Sequence, residues 1–336
     1  MLYVTYEEAV ATMERALVRF MPADKAHHFA EIFASNSVDG VHSHGMNRFP
    51  RYIGDIESGL CDPTVTEAER VSGFGGLEVW DAHFGVGPLI AEQASERAIA
   101  LAKEHGIGCV ALRNNNHWLR AGRYGLMMAD AGMMGLCMTN TAMNLVAYGA
   151  KVPSTGNNPI TFAIPRKAGS LVMDMAVSQY AFGKLEIMAQ QGKMLDTECG
   201  YDVDGNLTND PKKITESGMM MPMALWKGSA LSIMIDLMTS VLSLGRASHV
   251  IGDPSKGEKG MSQLFICMNP AAVISMDEAE EKIAETLTFL DGLEPREGTS
   301  GVHAPGVNLA NTRKKHMEGG IPVTEETWAK IVSLAE

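Results

Sequence analysis

Two short stretches of this chain carry side chains able to do chemistry together. In the first, His42, Ser43, His44, Asn47 and Arg48 fall within seven residues, just ahead of a helical segment. A helix start carries unpaired N–H groups and partial positive charge, so it favours an anion. Asn47 or a neighbour can cap that helix, and Pro50 is tolerated in its first turn. Arg48 adds a planar fork of donors suited to a carboxylate, and His44 adds a group that titrates near neutral pH. Together they can hold a small carboxylic acid and move one proton, as reduction of a 2-keto acid beside a hydride donor requires. The second stretch runs from Arg113 through Asn114, Asn115 and Asn116 to His117, Trp118 and Arg120. His117 can orient a substrate oxygen or share the proton transfer. Spacing alone leaves the blander reading open, in which these residues cap and solvate turns.

The elements that must position them follow from periodicity. Ala9, Met13, Leu17 and Phe20 have helical spacing, Pro22 interrupts, and Asp24 can cap a second helix reaching about Ser37. Arg51 to Gly59 reads as a helix ending at glycine, and residues 71–80 as strand and turn. Pro88 to His105 is helical, with Gly106 as its cap. Cys109 to Leu112 is a short buried strand, Asn114 to His117 a polar loop, and Leu119 to Ala131 a helix. Further strands are expected at Gly135–Met138, Pro159–Ile164, Leu171–Met175 and Gln263–Met268, with a helix over Phe182–Gln190. Residues 192–222 read as a long surface loop. Ser229 to Leu244 reads as a buried apolar helix, Asp277 to Leu290 as an amphipathic one, and residues 291–312 as irregular before a last helix capped by Thr324.

Composition narrows the classes. With 336 residues, 46% hydrophobic and 20% charged, the chain is globular and long enough for about two domains. A net charge of −12 argues against nucleic acid and gives no attraction to anionic lipid, so an anionic ligand needs locally placed cations. Five scattered cysteines with no CxxC pair fit neither a disulfide framework nor a zinc knuckle. With no signal-peptide pattern and no apolar run long enough to span a bilayer, the expected compartment is the cytoplasm. His42 and His44 form a His-x-His pair without a convincing third ligand, so a metal-dependent hydrolase is a distant alternative. The run Met219, Met220, Met221, Pro222, Met223 reads as adaptable packing. Gly106-Ile-Gly-Cys-Val-Ala111 has the letters of a Rossmann fingerprint, but a helix precedes it and a strand follows, the reverse of what a pyrophosphate site needs.

In sequence order, several stretches resemble the malate/L-lactate dehydrogenase-like family, and within it the 2,3-diketo-L-gulonate reductases. They are Gly40-Val-His-Ser-His44-Gly-Met-Asn-Arg48-Phe-Pro-Arg51, His105-Gly-Ile-Gly, Ala111 to Trp118, Gly156-Asn-Asn-Pro159, Met173-Asp-Met175, Asp204-Gly-Asn-Leu-Thr208 and Trp226-Lys-Gly-Ser229. The resemblance continues to Thr327-Trp328 and covers nearly the whole chain. It implies a non-Rossmann, sulfolactate dehydrogenase-like α/β fold. A central NAD(P)-binding domain (73–271) would carry an outer, largely helical domain made of 1–72 plus 272–336. It implies a homodimer and NAD(P)H-dependent reduction of a small 2-keto acid, with NADH expected and NADPH also possible. His44 would be the proton donor, Arg48 the carboxylate clamp, and His117 their neighbour. The cofactor would lie on Ser170, Leu171, Val172, Met173, Asp174, Met175 and Ala176, on Trp226 and Lys227, and on Gly306, Val307 and Asn308. Malate, lactate or ureidoglycolate dehydrogenases and cyclic imino acid reductases share that framework. Leu195 and Asp196 stand where the family's loop carries proline, and Val307-Asn308 also departs from the subgroup.

Overall fold

The structure, a computed structural model, describes residues 1–252 and 257–336. Its first half holds β1 (Leu2–Val4), α1 (Tyr6–Leu17), α2 (Ala23–Val38), α3 (Phe49–Glu57), β2 (Glu69–Phe74), β3 (Leu77–Asp81), α4 (Gly87–His105), β4 (Ile107–Asn115), α5 (Ala121–Asp130), β5 (Met134–Thr139), β6 (Ile160–Ile164) and β7 (Leu171–Met175). There follow α6 (Phe182–Gln190), β8 (Gly200–Tyr201), β9 (Leu207–Thr208), α7 (Pro211–Ser217), β10 (Met219–Met220), α8 (Trp226–Ser243), α9 (Ser248–Ile251), β11 (Met261–Met268), α10 (Met276–Asp291), α11 (Leu309–Gly319), β12 (Ile321–Val323) and α12 (Glu325–Leu334).

A seven-stranded sheet in the order β2-β3-β4-β11-β5-β6-β7 organises the molecule. Among these pairings only β3 with β4 is parallel, and α4 is the crossover that a parallel pair needs. Successive strand side chains point to opposite faces. Val110, Leu112, Cys137, Phe265 and Cys267 therefore pack under α4 and α5, while Ala111, Met138 and Leu264 pack against Ile235 of α8 on the other face. Gly108 lets β4 lie directly on α4, because a Cβ there would sit 2.0 Å from the Ala98 carbonyl oxygen. Gly106, at φ +83°, caps α4, so the Rossmann-like letters are a helix end running into a strand.

The two chain ends build a separate helical core. Phe29, Phe33, Phe49 and Tyr52 are fully buried, with ring centroids 4.9–5.2 Å apart for the three closest pairs. Around them lie Met13, Leu17 and Ile53, and from the C-terminal end Ile321, Val323 and Ile331. The β1–β12 ribbon joins the two ends of the chain.

Several expectations need correction. Residues 192–222 are not a plain loop. They hold a three-stranded sheet (β10-β8-β9) and α7, closed by buried Leu195, Cys199, Ile214 and Met220. Helix α8 is apolar but not enclosed: Ile233, Leu237, Val241 and Leu244 are 43%, 48%, 66% and 80% exposed. Asn114 and Asn115 extend strand β4 rather than forming a loop, because β11 pairs with β4 as far as Asn115. Pro22, not Asp24, sits at the start of α2; at α3 it is Arg48, the neighbour of Asn47, and neither start carries a side-chain cap bond. Helix α11 begins at Leu309, inside the segment read as irregular.

Candidate functional site

The turn bearing His44 and Arg48 is anchored to the end of α2. The Asn36 amide donates to the His44 carbonyl (2.9 Å), and the Met46 N–H donates to Ser37 Oγ (2.8 Å). Gly45 makes that contact possible, since a Cβ there would lie 2.1 Å from Ser37 Oγ and 2.8 Å from the Ser37 nitrogen. Two single 3₁₀ turns, His42–His44 and Met46–Arg48, then lead into α3.

The second stretch arrives at the end of β4. Asn116 donates from Nδ2 to the carbonyls of Phe84 (2.6 Å) and Gly85 (2.9 Å), and Asn115 donates to Gln263 Oε1 (2.7 Å). The chain then turns through Leu119 at φ +65°. The Leu119 N–H donates to His117 Nδ1 at 3.1 Å, and the Tyr124 hydroxyl donates to the Trp118 carbonyl. These two anchorings bring together residues 73 positions apart. The His44 and His117 rings stack with centroids 5.6 Å apart and planes 18° apart.

Arg48 lies beside them. Its Nη2 is 3.8 Å from Glu258 Oε2, and its buried Nε finds no acceptor among the described residues. A narrow cavity is lined by Arg48, Asp55, Asn116, His117 and Glu258. Burial, then the cationic Arg48 and Arg120, depress the His44 imidazole to about 4. Burial, then Arg48, His44 and Arg51, hold His117 well below its ordinary value. Both rings are therefore neutral near pH 7, beside a guanidinium with an unused donor. That chemistry suits an anion and an adjacent hydrogen-bonding oxygen.

The expected cofactor segments meet along β7. The Val172 N–H donates to the Pro305 carbonyl (3.4 Å), and Gly306 (φ +83°) approaches so closely that a Cβ would sit 2.9 Å from the Val172 nitrogen. At the other end of the strand the Met223 N–H donates to the Val177 carbonyl (2.9 Å), shortly before Trp226 opens α8. Trp226 is 60% exposed, and Lys227 Nζ lies 6.0 Å from its ring. Asp174 accepts from the Gly122 N–H (2.8 Å) and the Thr161 hydroxyl (3.2 Å), so its partners are protein groups at the start of α5 and on β6. Burial raises its pKa, which those bonds and Arg120 oppose. Arg120 Nε is 3.9 Å from Asp174, while its Nη1 pairs with Asp39, which also holds Arg313 of α11. Arg120 thus stands between the two groups of residues, near enough to His44 to lower its proton affinity.

A larger cavity of about 500 Å³ opens beside Leu225, lined by Tyr148, Glu198, Tyr201 and Met221. Neither histidine lines it. No cluster of three or more His, Cys, Asp or Glu among the described residues has the geometry to hold a metal ion.

The sequence reading missed Asp39, Arg313, Asp55 and Glu258. Asp39 and Arg120 were visible as types beside the two motifs, but nothing local marked their pairing. Glu258 reaches Arg48 from 210 positions away, which no local pattern announces.

Comparison with known proteins agrees along the whole length. A profile of malate/L-lactate dehydrogenases matches residues 4–332. Proteins named 2,3-diketo-L-gulonate reductase from Escherichia coli O81 and from Shigella boydii serotype 4 are each 36% identical over 332 residues, covering 98% of this chain and 99% of theirs. Among solved structures, sulfolactate dehydrogenase from Methanocaldococcus jannaschii superposes with a TM-score of 0.89 at 27% identity, covering 99% of this chain and 96% of that one. Delta1-piperideine-2-carboxylate reductase from Pseudomonas syringae pvar. tomato superposes with a TM-score of 0.87 at 28% identity, covering 99% and 100%.

Proposed function

The chain belongs to the malate/L-lactate dehydrogenase family, and from that premise we propose that it reduces 2,3-diketo-L-gulonate to 3-keto-L-gulonate with NADH. As a member it is an oxidoreductase of a nicotinamide-dependent class. The observation that carries the substrate reading is Arg48: a buried guanidinium whose Nε meets no acceptor among the described residues, beside two stacked neutral imidazoles. That is a receptor for a carboxylate next to a carbonyl.

The donor set along β7 fits a dinucleotide. Ser170 to Ala176 offer backbone, Gly306 to Asn308 close over one end, and Trp226 and Lys227 give an aromatic face and a cation at the other. When bound, the nicotinamide supplies a hydride to the substrate carbonyl carbon. Arg48 holds the carboxylate and thereby offsets the charge that depresses His44. His44 takes up a proton as the anion binds and delivers it to the developing alkoxide. Positioned acid catalysis of this kind is worth about 10²–10⁴-fold.

The wider arrangement in this reading is a cytoplasmic homodimer. An outer lobe of 1–72 plus 272–336 presents His44 and Arg48 to a central lobe, 73–271, that holds the cofactor. The outward apolar row on α8 supports the dimer. No helix of the described residues is long and apolar enough to cross a membrane.

The test is loss of NADH and NADPH absorbance with 2,3-diketo-L-gulonate, pyruvate, oxaloacetate and a cyclic imino acid. Selective turnover of diketogulonate supports the reading. Preference for another member moves the substrate and keeps the mechanism. Arg48→Ala should raise KM far more than it lowers kcat, and an unchanged KM would discard the carboxylate clamp.

A further inference from the structure

The two histidines are not equivalent, and their hydrogen bonds say how. We infer that His117 works as a permanently neutral donor, giving its Nε2–H to the substrate oxygen, while His44 alone supplies the proton. This rests on the reductase reading above.

The partner of His117 Nδ1 is the Leu119 backbone N–H, at 3.1 Å. A backbone N–H can only donate, so Nδ1 must keep its lone pair and the ring proton sits on Nε2. Protonating Nδ1 would set two N–H groups against each other and strand a buried one, since Leu119 is 2% exposed. The chain has little room to turn away. Leu119 is held at φ +65°, and the carbonyl before it is bonded by Tyr124, itself fully buried under the sheet with Trp118. The cationic neighbours act the same way. Arg48 and Arg51 both disfavour a charge on this ring, as does protonated His44. Asp55 and Glu258 line the same cavity, but both lie within the field of Arg48.

His44 has the opposite kind of partner. Its Nδ1 lies 3.0 Å from Ser43 Oγ, and a hydroxyl either donates or accepts. The Ser43 hydroxyl can donate to neutral His44 and turn to accept from the imidazolium, so the ring can gain and lose a proton without losing its bond. Helix α6 braces that serine: a Cβ on Gly183 would come within 2.7 Å of Ser43 Cβ. Burial, then Arg48 and Arg120, keep His44 neutral while the site is free, and a substrate carboxylate on Arg48 removes the Arg48 part of that opposition. With ring centroids 5.6 Å apart, one carbonyl oxygen can be reached by both histidines. In reduction, hydride adds to the carbonyl carbon and the C=O π pair moves to oxygen. The His117 Nε2–H stabilises that oxygen, and the His44 proton converts it to the alcohol.

The first test reads the free protein. Ring-nitrogen NMR should show His117 as the Nε2–H tautomer, unchanged between about pH 5 and 9. An Nδ1–H or imidazolium signal for His117 in that range overturns the assignment. The second test is kinetic. His117→Phe should lower kcat by about 10²–10³-fold, His117→Gln should recover much of the loss by restoring a donor, and both should keep the fall of the reduction rate with rising pH. His44→Gln should abolish that pH dependence. If His117→Gln abolishes it instead, the roles are reversed. A chain that reduces none of the keto acids overturns the catalytic roles of both histidines with the reaction, while the spectra still decide the tautomer.

Discussion

The helical core at the chain ends and the polar seam beside the sheet hold the two halves of the site by opposite means. Around Phe29, Phe33, Phe49 and Tyr52 the packing is nearly all apolar, and His44 and Arg48 hang from its edge. Along the seam, Asn116, Asn140, Asn158 and Gln263 are at most 3% exposed and are bonded in fixed directions. Asn140 donates to Asp236 and the Arg246 carbonyl and accepts from the Ser262 N–H. Asn158 accepts from the Thr141 N–H and donates to the Ser232 carbonyl. Gln263 donates to the Asn116 carbonyl, one residue before His117. Dispersion and burial in the first region are non-directional, so that core constrains volume. Hydrogen bonds in the second are directional, so the seam constrains orientation. A stacked histidine pair needs both, one ring brought near by packing and the other turned to its angle by bonds.

The largest effect expected from breaking this comparison is in the apolar core. Phe33→Ala removes a fully buried ring touching three aromatic neighbours and should cost about 4 kcal/mol in denaturant unfolding. A loss near zero would mean that the chain ends are not a cooperative core.

Next comes the clasp between the regions. Glu92 of α4, 7% exposed, accepts from His28 of α2 (2.5 Å) and Arg123 of α5 (2.5 Å). Glu92→Gln should cost about 3 kcal/mol, since it leaves Arg123 without its carboxylate. The pH dependence has a definite sign. The Glu92 hydrogen bond raises the His28 pKa above 6.5, so that contribution is full below 6.5 and is lost as pH rises through the raised value. For Glu92, the His28 bond and Arg123 outweigh burial and hold its pKa below 4.5; its contribution is full above 4.5 and is lost as pH falls through the lowered value. Wild type should therefore exceed the variant most between those two ordinary values, and a difference flat across pH would remove His28 from the account.

In the seam, Asn158→Leu keeps the volume but strands the Thr141 N–H and removes the bond to the Ser232 carbonyl, and should cost roughly 2 kcal/mol. Smallest is Ile53→Leu in the apolar core, below about 1.5 kcal/mol because shape changes while volume does not. If these last two came out equal, the contrast between volume and direction would fail.

Elements whose signal is local were legible before any fold was known. Apolar spacing marked α1, the Pro22 break marked where α2 begins, short apolar runs marked β4, β5 and β11, and Gly106 marked the end of α4 because glycine accepts φ +83° cheaply. The two reactive stretches were legible as residue types, and their order along the chain was specific enough to place the family. Tertiary structure decided the rest. Whether α8 faces a core or the surface does not follow from its apolar composition, because a helix awaiting a partner and a buried one read alike. The small sheet within 192–222 is made of strands too short to show a period. Above all, the stacking of His44 on His117, the reach of Glu258 to Arg48, and the sharing of Asp39 by Arg120 and Arg313 join residues from 73 to 274 positions apart. Charge and hydrogen-bond direction act through space, and only the folded chain sets those distances.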